Sequence, residues 1–252
     1  MNFLRSLFFN KVKPEGFPFV LKHIQTIRFA MALLEQNPKL QMPIENKPIF
    51  DYLNNYFSYD VSYYTSKRQV KIRKDISFEH QAPKVCVNAQ EKTLVFPKQM
   101  LDLCFSKWGK REKITFSGYQ TDIRVKALTT WLKEVNGVSV NLSDGGYSQD
   151  KIDIVWSNTG RQMPQKSWDE AYYNELLNSG FVLCPDGDFI WTYRFFEAII
   201  CGAIPIIENM CSHYEGYFFY DMKTPMDQLI YNRDKALENL NHLIRTMTLG
   251  EV

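Results

Sequence analysis

Hydrophobic and polar positions alternate with two distinct periods along the second half of the chain, and the switches between them mark an ordered series of elements. Lys113 to Phe116 ("KITF") is a short β-rich run ending at Ser117-Gly118. From Asp122 the period lengthens, with Leu128, Trp131, Leu132 and Val135 at helical spacing until Gly137, which predicts an amphipathic helix. Val138 to Leu142 ("VSVNL") and Ile152 to Trp156 ("IDIVW") read as further strands on either side of the turn-rich "SDGG". Ser167 and Glu170 have the S-x-x-E spacing of a capping box, which opens a helix through Leu177 with Gly180 as its stop. "FVLC" (Phe181 to Cys184), "TYRFFEAIIC" with Gly202 as its stop, and "IPII" (Ile204 to Ile207) follow as strand, helix and strand. Thr224-Pro225 reads as the cap and first-turn proline of a last helix through about Thr246. Strands alternating with helices predict a parallel sheet with right-handed crossovers, a Rossmann-like half.

The first half has a less regular pattern. A helix is expected after Pro18 in "FPFVLKHIQTIRFAMALLEQ", and strands at "KVCVNA" (Lys84 to Ala89) and "TLVFP" (Thr93 to Pro97). Between them lie the aromatic stretch "YLNNYFSYDVSYYT" and "KRQVKIRK" (Lys67 to Lys74), where Val70 and Ile72 alternate with charges. The expectation is a smaller α/β unit over residues 1–110, packed on a Rossmann-like unit over 111–252.

Composition adds boundaries to this picture. With 252 residues, 45% hydrophobic and 23% charged, the chain is an ordinary globular one that can bury a core. No run of 18 apolar residues is present, and the start "MNFLRSLFFNKVK" has no small-residue cleavage site, so a cytoplasmic protein is expected. The five cysteines have neither C-x-x-C spacing nor a neighbouring His cluster, which gives no reason to expect a disulfide or a structural metal. The net charge of +2 conceals an asymmetry: residues 1–110 carry +8 and residues 111–252 carry −6. The basic half is a solvated face or a contact for an acidic partner, either an anionic acceptor or the inner face of a membrane. The near-neutral total argues against nucleic acid.

Ligands of open parallel sheets bind beyond the carboxyl ends of the strands. Two such loops are expected here, Ser117 to Thr121 and Pro185 to Trp191. Each opens onto a helix N-terminus, where free N–H groups suit a phosphate. Arg194 in the first turn of the second helix can contact a phosphate oxygen, and Glu197 on the same face can accept from a diol; a structural Arg–Glu pair fits the spacing equally. Asp186-Gly187-Asp188 adds a D-x-D pair of the kind that holds a divalent metal against a diphosphate, a short and weakly specific motif.

The segment "YNELLNSGFVLCPDGDFIWTYRFFEAIICGAIPII" resembles the nucleotide-sugar binding segment of exostosin-like glycosyltransferases. Tyr173, Leu176, Ser179, Cys184, Pro185, Gly187, Thr192, Arg194, Glu197, Gly202 and Pro205 fall in step with that pattern, and "ITFSGYQTDIR" adds Gly118 and Arg124. The resemblance covers about residues 112–208. It implies a GT-B-like arrangement of two Rossmann-like units, with a nucleotide-diphosphate sugar in the C-terminal half and inverting transfer that needs no metal or other cofactor. It also implies that Arg194 neutralises the diphosphate, Glu197 binds ribose or sugar hydroxyls, Gly118 lets the chain approach the donor, and Arg124 adds positive charge. Pro185, Gly187, Asp188, Trp191, Thr192 and Tyr193 complete the donor loop, and the D-x-D then becomes incidental. A base for the acceptor hydroxyl is sought in the first half, at Glu79 or His80 by position; His213, after "IPII", is placed to touch donor or acceptor. The implied acceptor is a glycan or lipid-linked hydroxyl in surface polysaccharide synthesis. Two alternatives stay open: a non-catalytic glycan- or nucleotide-binding module, and a metal-dependent transferase using Asp186 and Asp188.

Overall fold

A computed structural model describes residues 17, 20–65, 85–87, 90–92, 94–109, 111, 113–157, 168–187 and 189–249. The chain forms two compact units, and neither is one continuous stretch. The first gathers Met1–Asp102, Arg161–Asp169 and Thr246–Val252; the second gathers Leu103–Gly160 and Glu170–Arg245.

In the first unit, α1 (Ile24–Gln36) is capped reciprocally by His23 and Thr26. It begins six residues beyond Pro18, because the backbone N–H of Leu21 is committed to Asn46 Oδ1 at 2.7 Å instead of a helical turn. Strand β1 (Gln41–Pro43), α2 (Lys47–Leu53) and β2 (Ser62–Tyr64) follow, with β1 and β2 paired in parallel. The aromatic stretch makes a core of its own: Phe57 packs edge-on to Trp168 at 5.5 Å, and Tyr52 donates its hydroxyl to the Trp168 carbonyl. Strands β3 (Val85–Val87) and β4 (Gln90–Lys92) form an antiparallel hairpin. Among the described residues this unit therefore holds only two-stranded pairings. The expected strand at "TLVFP" does not form. Leu94, Val95 and Phe96 are buried as irregular chain, and the Phe96 N–H bonds to the Met247 carbonyl. The basic stretch Lys67 to Lys74 lies outside the described residues.

Helix α3 (Lys98–Ser106) carries the chain into the second unit. Its elements are β5 (Lys113–Gly118), α4 (Asp122–Asn136), β6 (Tyr147–Gln149), β7 (Ile152–Trp156), α5 (Glu170–Leu177), β8 (Ser179–Cys184), α6 (Tyr193–Ile200), β9 (Ile204–Ile207), β10 (Tyr220–Asp221) and α7 (Arg233–Met247). The sheet order is β10-β9-β8-β5-β7-β6, parallel except for the edge strand β6. Helix α4 shows why these residues fold as they do. Thr121 caps it by accepting from the Arg124 N–H, Asp122 opens its first turn, Lys133 sits in its last, and Gly137 ends it in the left-handed conformation. Its buried face, Leu128, Trp131 and Leu132, packs on Ile114 and Phe116 of β5 and Ile152 and Ile154 of β7. Each of those side chains contributes about 1.5–3 kcal/mol by leaving water. No helix among the described residues is long and apolar enough to cross a membrane.

Three further expectations are corrected here. Residues 138–141 are not a strand. Val138 and Val140 pack as irregular chain against the core, and the ladder beside β7 is taken by β6, folded back through a tight turn with Asp150 at φ 52°. Thr224-Pro225 opens only a short 3-10 turn, Met226–Gln228. The last helix waits for Asn232, whose Oδ1 accepts from the Asp234 and Lys235 N–H groups at 2.9 and 3.0 Å. Gly180 belongs to β8 instead of stopping α5, which ends at Leu177.

Candidate functional site

The order of the sheet locates the site. From β5 the chain moves outward to β7 and β6, then returns across β5 to build β8, β9 and β10 on its other side. The carboxyl ends of β5 and β8 are thus neighbours whose exit loops lead to α4 and α6. A crevice at such a reversal is where open α/β sheets take ligands.

An arginine reaches over each of these two strand ends. Arg194, second residue of α6, is only 8% exposed. Its Nε and Nη2 both donate to the Ser117 carbonyl, at 3.2 and 2.8 Å, and its guanidinium lies 4.2 Å above the Phe116 ring. The guanidinium occupies the space a side chain at Gly118 would need: a Cβ built there would collide with Arg194 Nη2 and meet Phe116 Cζ at 3.1 Å. Gly118 is thus required by Arg194 itself. The same relation holds on the other side, where a Cβ on Gly187 would come within 2.7 Å of Arg124 Nη2. Arg124 Nη1 also donates to the Tyr119 carbonyl at 3.1 Å. Two guanidinium groups thus lie on the glycines at 118 and 187. A fork with two donors on one carbonyl keeps its Nη1 edge to offer an anion.

The start of α6 is fixed from below. Tyr214, 1% exposed, stacks on Phe195 at 3.9 Å, accepts from the Thr192 N–H at 2.8 Å and donates to the Ile190 carbonyl. Thr192 has the extended conformation of a cap residue. Its side chain makes no capping bond, and its Oγ1 is buried without a hydrogen-bond partner among the described residues. Trp191 is 7% exposed, edge-on to Tyr193 and stacked on His213 at 5.9 Å. One face of the Trp191 indole is therefore already covered, and burial lowers the His213 pKa.

Glu197, one turn deeper, is fully buried. Tyr172 donates to its Oε2 at 2.8 Å and Tyr173 to its Oε1 at 3.3 Å. Both carboxylate oxygens are therefore engaged from α5. Pro185 is buried at the end of β8, and the Gly187 N–H closes the loop onto the Phe189 carbonyl.

Asp186 is tied to residues just past β9. Its N–H donates to Glu208 Oε2 at 3.0 Å and its Oδ2 accepts from Asn209 at 2.8 Å, both just past β9. Burial raises its pKa, opposed by Asn209 and assisted by Glu208. Positive charge thus collects over β5 and β8, and negative charge over β8 and β9. No group of three or more metal-ligating side chains occurs among the described residues. Asp188, Glu79 and His80 lie outside the described residues, so Arg194, Glu197, Arg124, Gly118, Pro185, Gly187, Trp191, Thr192 and Tyr193 are the expected site residues that the structure brings together. Sequence reading missed the Ser117 carbonyl and the anchoring by Tyr214. It also missed the tyrosine pair on Glu197, for which the adjacent Tyr172-Tyr173 was the available signal.

None of the curated proteins compared with the chain matches it significantly. The family model of the Exostosin GT47 domain matches residues 53–233, well over half the chain, and spans every element of the site just described. By that match the chain belongs to the exostosin GT47 family and is a glycosyltransferase.

Proposed function

We propose that the second unit binds a nucleotide-diphosphate sugar at the carboxyl ends of β5 and β8, and that the chain transfers the sugar to a hydroxyl of a glycan or lipid-linked acceptor. The observation that carries this reading is the pair of arginines, Arg194 over Gly118 and Arg124 over Gly187, beside the N-terminus of α6. A sugar nucleotide departs as a diphosphate, and fixed positive charge and N–H dipoles where that charge develops lower the barrier. Arg194 is preorganised for this role, because Phe116 and the Ser117 carbonyl hold its plane before any ligand arrives. Thr192 Oγ1, buried without a partner, is a further group for a phosphate oxygen. Glu197 serves the ribose or sugar hydroxyls.

The chemistry proposed is inverting and metal-independent, with a GT-B division of labour in which the donor belongs to the second unit and acceptor recognition to the first. Glu79 and His80 are the proposed sources of the base. The basic stretch Lys67 to Lys74 is proposed to meet an anionic acceptor or a membrane's inner face, in surface polysaccharide synthesis at a cytoplasmic location. The test is a calorimetric titration with UDP, GDP and ADP in excess EDTA and again with manganese. Binding of one nucleotide in EDTA, lost in Arg194→Ala, is the expected result. Binding only with manganese, abolished in Asp186→Asn, would replace this reading with the metal-dependent one.

A further inference from the structure

The segment 208–214 that leaves β9 touches the loop between β8 and α6 at both of its ends, and has no part in the chemistry proposed above. At the start of that loop Glu208 accepts from the Asp186 N–H at 3.0 Å, and Asn209 donates to Asp186 Oδ2 at 2.8 Å. At its far end the 3-10 turn Ser212–Tyr214 meets three consecutive residues. The Tyr214 hydroxyl accepts from the Thr192 N–H at 2.8 Å and donates to the Ile190 carbonyl at 3.3 Å. Between those two bonds, the Trp191 indole lies nearly parallel to the His213 ring, 16° from it at 5.9 Å. One phenol can serve both backbone groups because its oxygen accepts and donates at once. Tyr214 is 1% exposed, and burial pushes its hydroxyl above the ordinary phenol range, so the proton it donates stays in place.

Tyr214 also brackets Arg194. Its hydroxyl holds Thr192, two residues before the arginine, and its ring stacks on Phe195, the residue after it, at 3.9 Å and 20°. The first turn of α6 is therefore fixed to Tyr214 on both sides of Arg194, while the guanidinium reaches the other way, to the Ser117 carbonyl and the Phe116 ring. The far end of a long side chain is placed only as well as the backbone that carries it. Without the Tyr214 hydroxyl, the Thr192 N–H and the Ile190 carbonyl lose the partner they share, and a buried N–H left unpaired favours a shift of the chain towards water. We propose that Tyr214 is a positioning residue for the donor diphosphate, acting through the first turn of α6 on the pose of Arg194. The inference rests on Arg194 being the diphosphate contact. A misplacement of about 1 Å can weaken such a contact by up to about 100-fold. Arg194 keeps its own bonds to Ser117 when the hydroxyl is removed, so the expected loss of preorganisation is smaller, about 5- to 20-fold in Kd.

The test is a double-mutant cycle on the full chain, read by calorimetric titration with whichever of UDP, GDP and ADP the native protein binds. The four proteins are the native chain, Tyr214→Phe, Arg194→Lys and the double variant, each shown by thermal melting to be folded at the titration temperature. Tyr214→Phe keeps the stacked ring and loses only the hydroxyl, and is expected to bind about 5- to 20-fold more weakly. In Arg194→Lys, which has no fork to place, the same change should alter Kd by less than about twofold, because two residues acting through one contact are not additive. A role confined to holding the fold together would lower Tm and leave Kd where it was. A native Kd in folded Tyr214→Phe, or an equal fold-loss in both backgrounds, overturns the inference. Should Tyr214→Phe fail to fold, Phe195→Leu takes its place, since it keeps the hydroxyl and removes the stacked ring; an unchanged Kd there overturns the inference instead. Absence of nucleotide binding by the native protein, or native binding by Arg194→Ala, would sink the reading of Arg194 itself, and the inference with it.

Discussion

Replacing Gly118 by Ala puts a single methyl group where the Arg194 guanidinium now lies. Gly118 is not among the residues with positive φ, so the backbone accepts alanine and the whole effect passes through the arginine. Its Nη2 must move, which breaks the fork on the Ser117 carbonyl and lifts the guanidinium off Phe116. The displaced group is the end of a flexible side chain that can find water. The loss to folding is therefore about 1–2 kcal/mol, from one charge-assisted interaction and a cation–π contact. Binding of a diphosphate loses a positioned bidentate partner, about 2–3 kcal/mol, or a 30- to 150-fold weaker Kd. Nucleotide titration and thermal melting of the same Gly118→Ala preparation separate the two effects. Near-native Kd and turnover in a well-folded variant would show that the pose of Arg194 over Gly118 does not matter to the donor.

Asn232→Ala should cost about 1 kcal/mol by removing the cap that accepts from Asp234 and Lys235, and leave nucleotide binding untouched; thermal melts and titrations check both. Asp186→Asn should keep activity in EDTA within about threefold, because its Oδ2 is engaged with Asn209; transferase assays with and without chelator decide. Burial pushes the Glu175 carboxyl up to about 7, above the ordinary 4.5 of a glutamate, so it binds more protons folded than unfolded between those pH values. Stability is therefore lost as pH rises from about 4.5 to about 7, on the order of 2 kcal/mol. Glu175→Gln should be the more stable protein above pH 7 and show no such slope; parallel pH dependences of Tm would contradict this.

The sheet strands of the second unit were legible wherever an element was both long and periodic. Lys113–Gly118, Ile152–Trp156, Ser179–Cys184 and Ile204–Ile207 carry apolar runs bounded by turn residues, and α4 has both caps written in its sequence. The failures share a cause. "VSVNL" and "TLVFP" have the composition of strands, but a strand needs a partner, and the ladder beside β7 went to β6 while β3 paired with β4. Thr224-Pro225 offered a cap and a first-turn proline, yet the helix started at Asn232, where the side chain met two N–H groups. In the site, the arginine and the glycines were readable by type and spacing. The meeting of Arg194 with Gly118 and of Tyr172 with Glu197 was not, because each joins residues more than 20 positions apart.

The path of the chain between its units also dictates how the protein can be made. The boundary is crossed four times, at residues 102, 160, 169 and 245, and the first unit needs all three of its segments. No single cut yields either unit as one uninterrupted fragment, and a fragment that carries the whole second unit also carries Arg161–Asp169 of the first. During synthesis the Phe96 N–H waits for the Met247 carbonyl, about 150 residues later. The unit begun first on the ribosome is therefore the one finished last, and the second unit is in a position to fold before it.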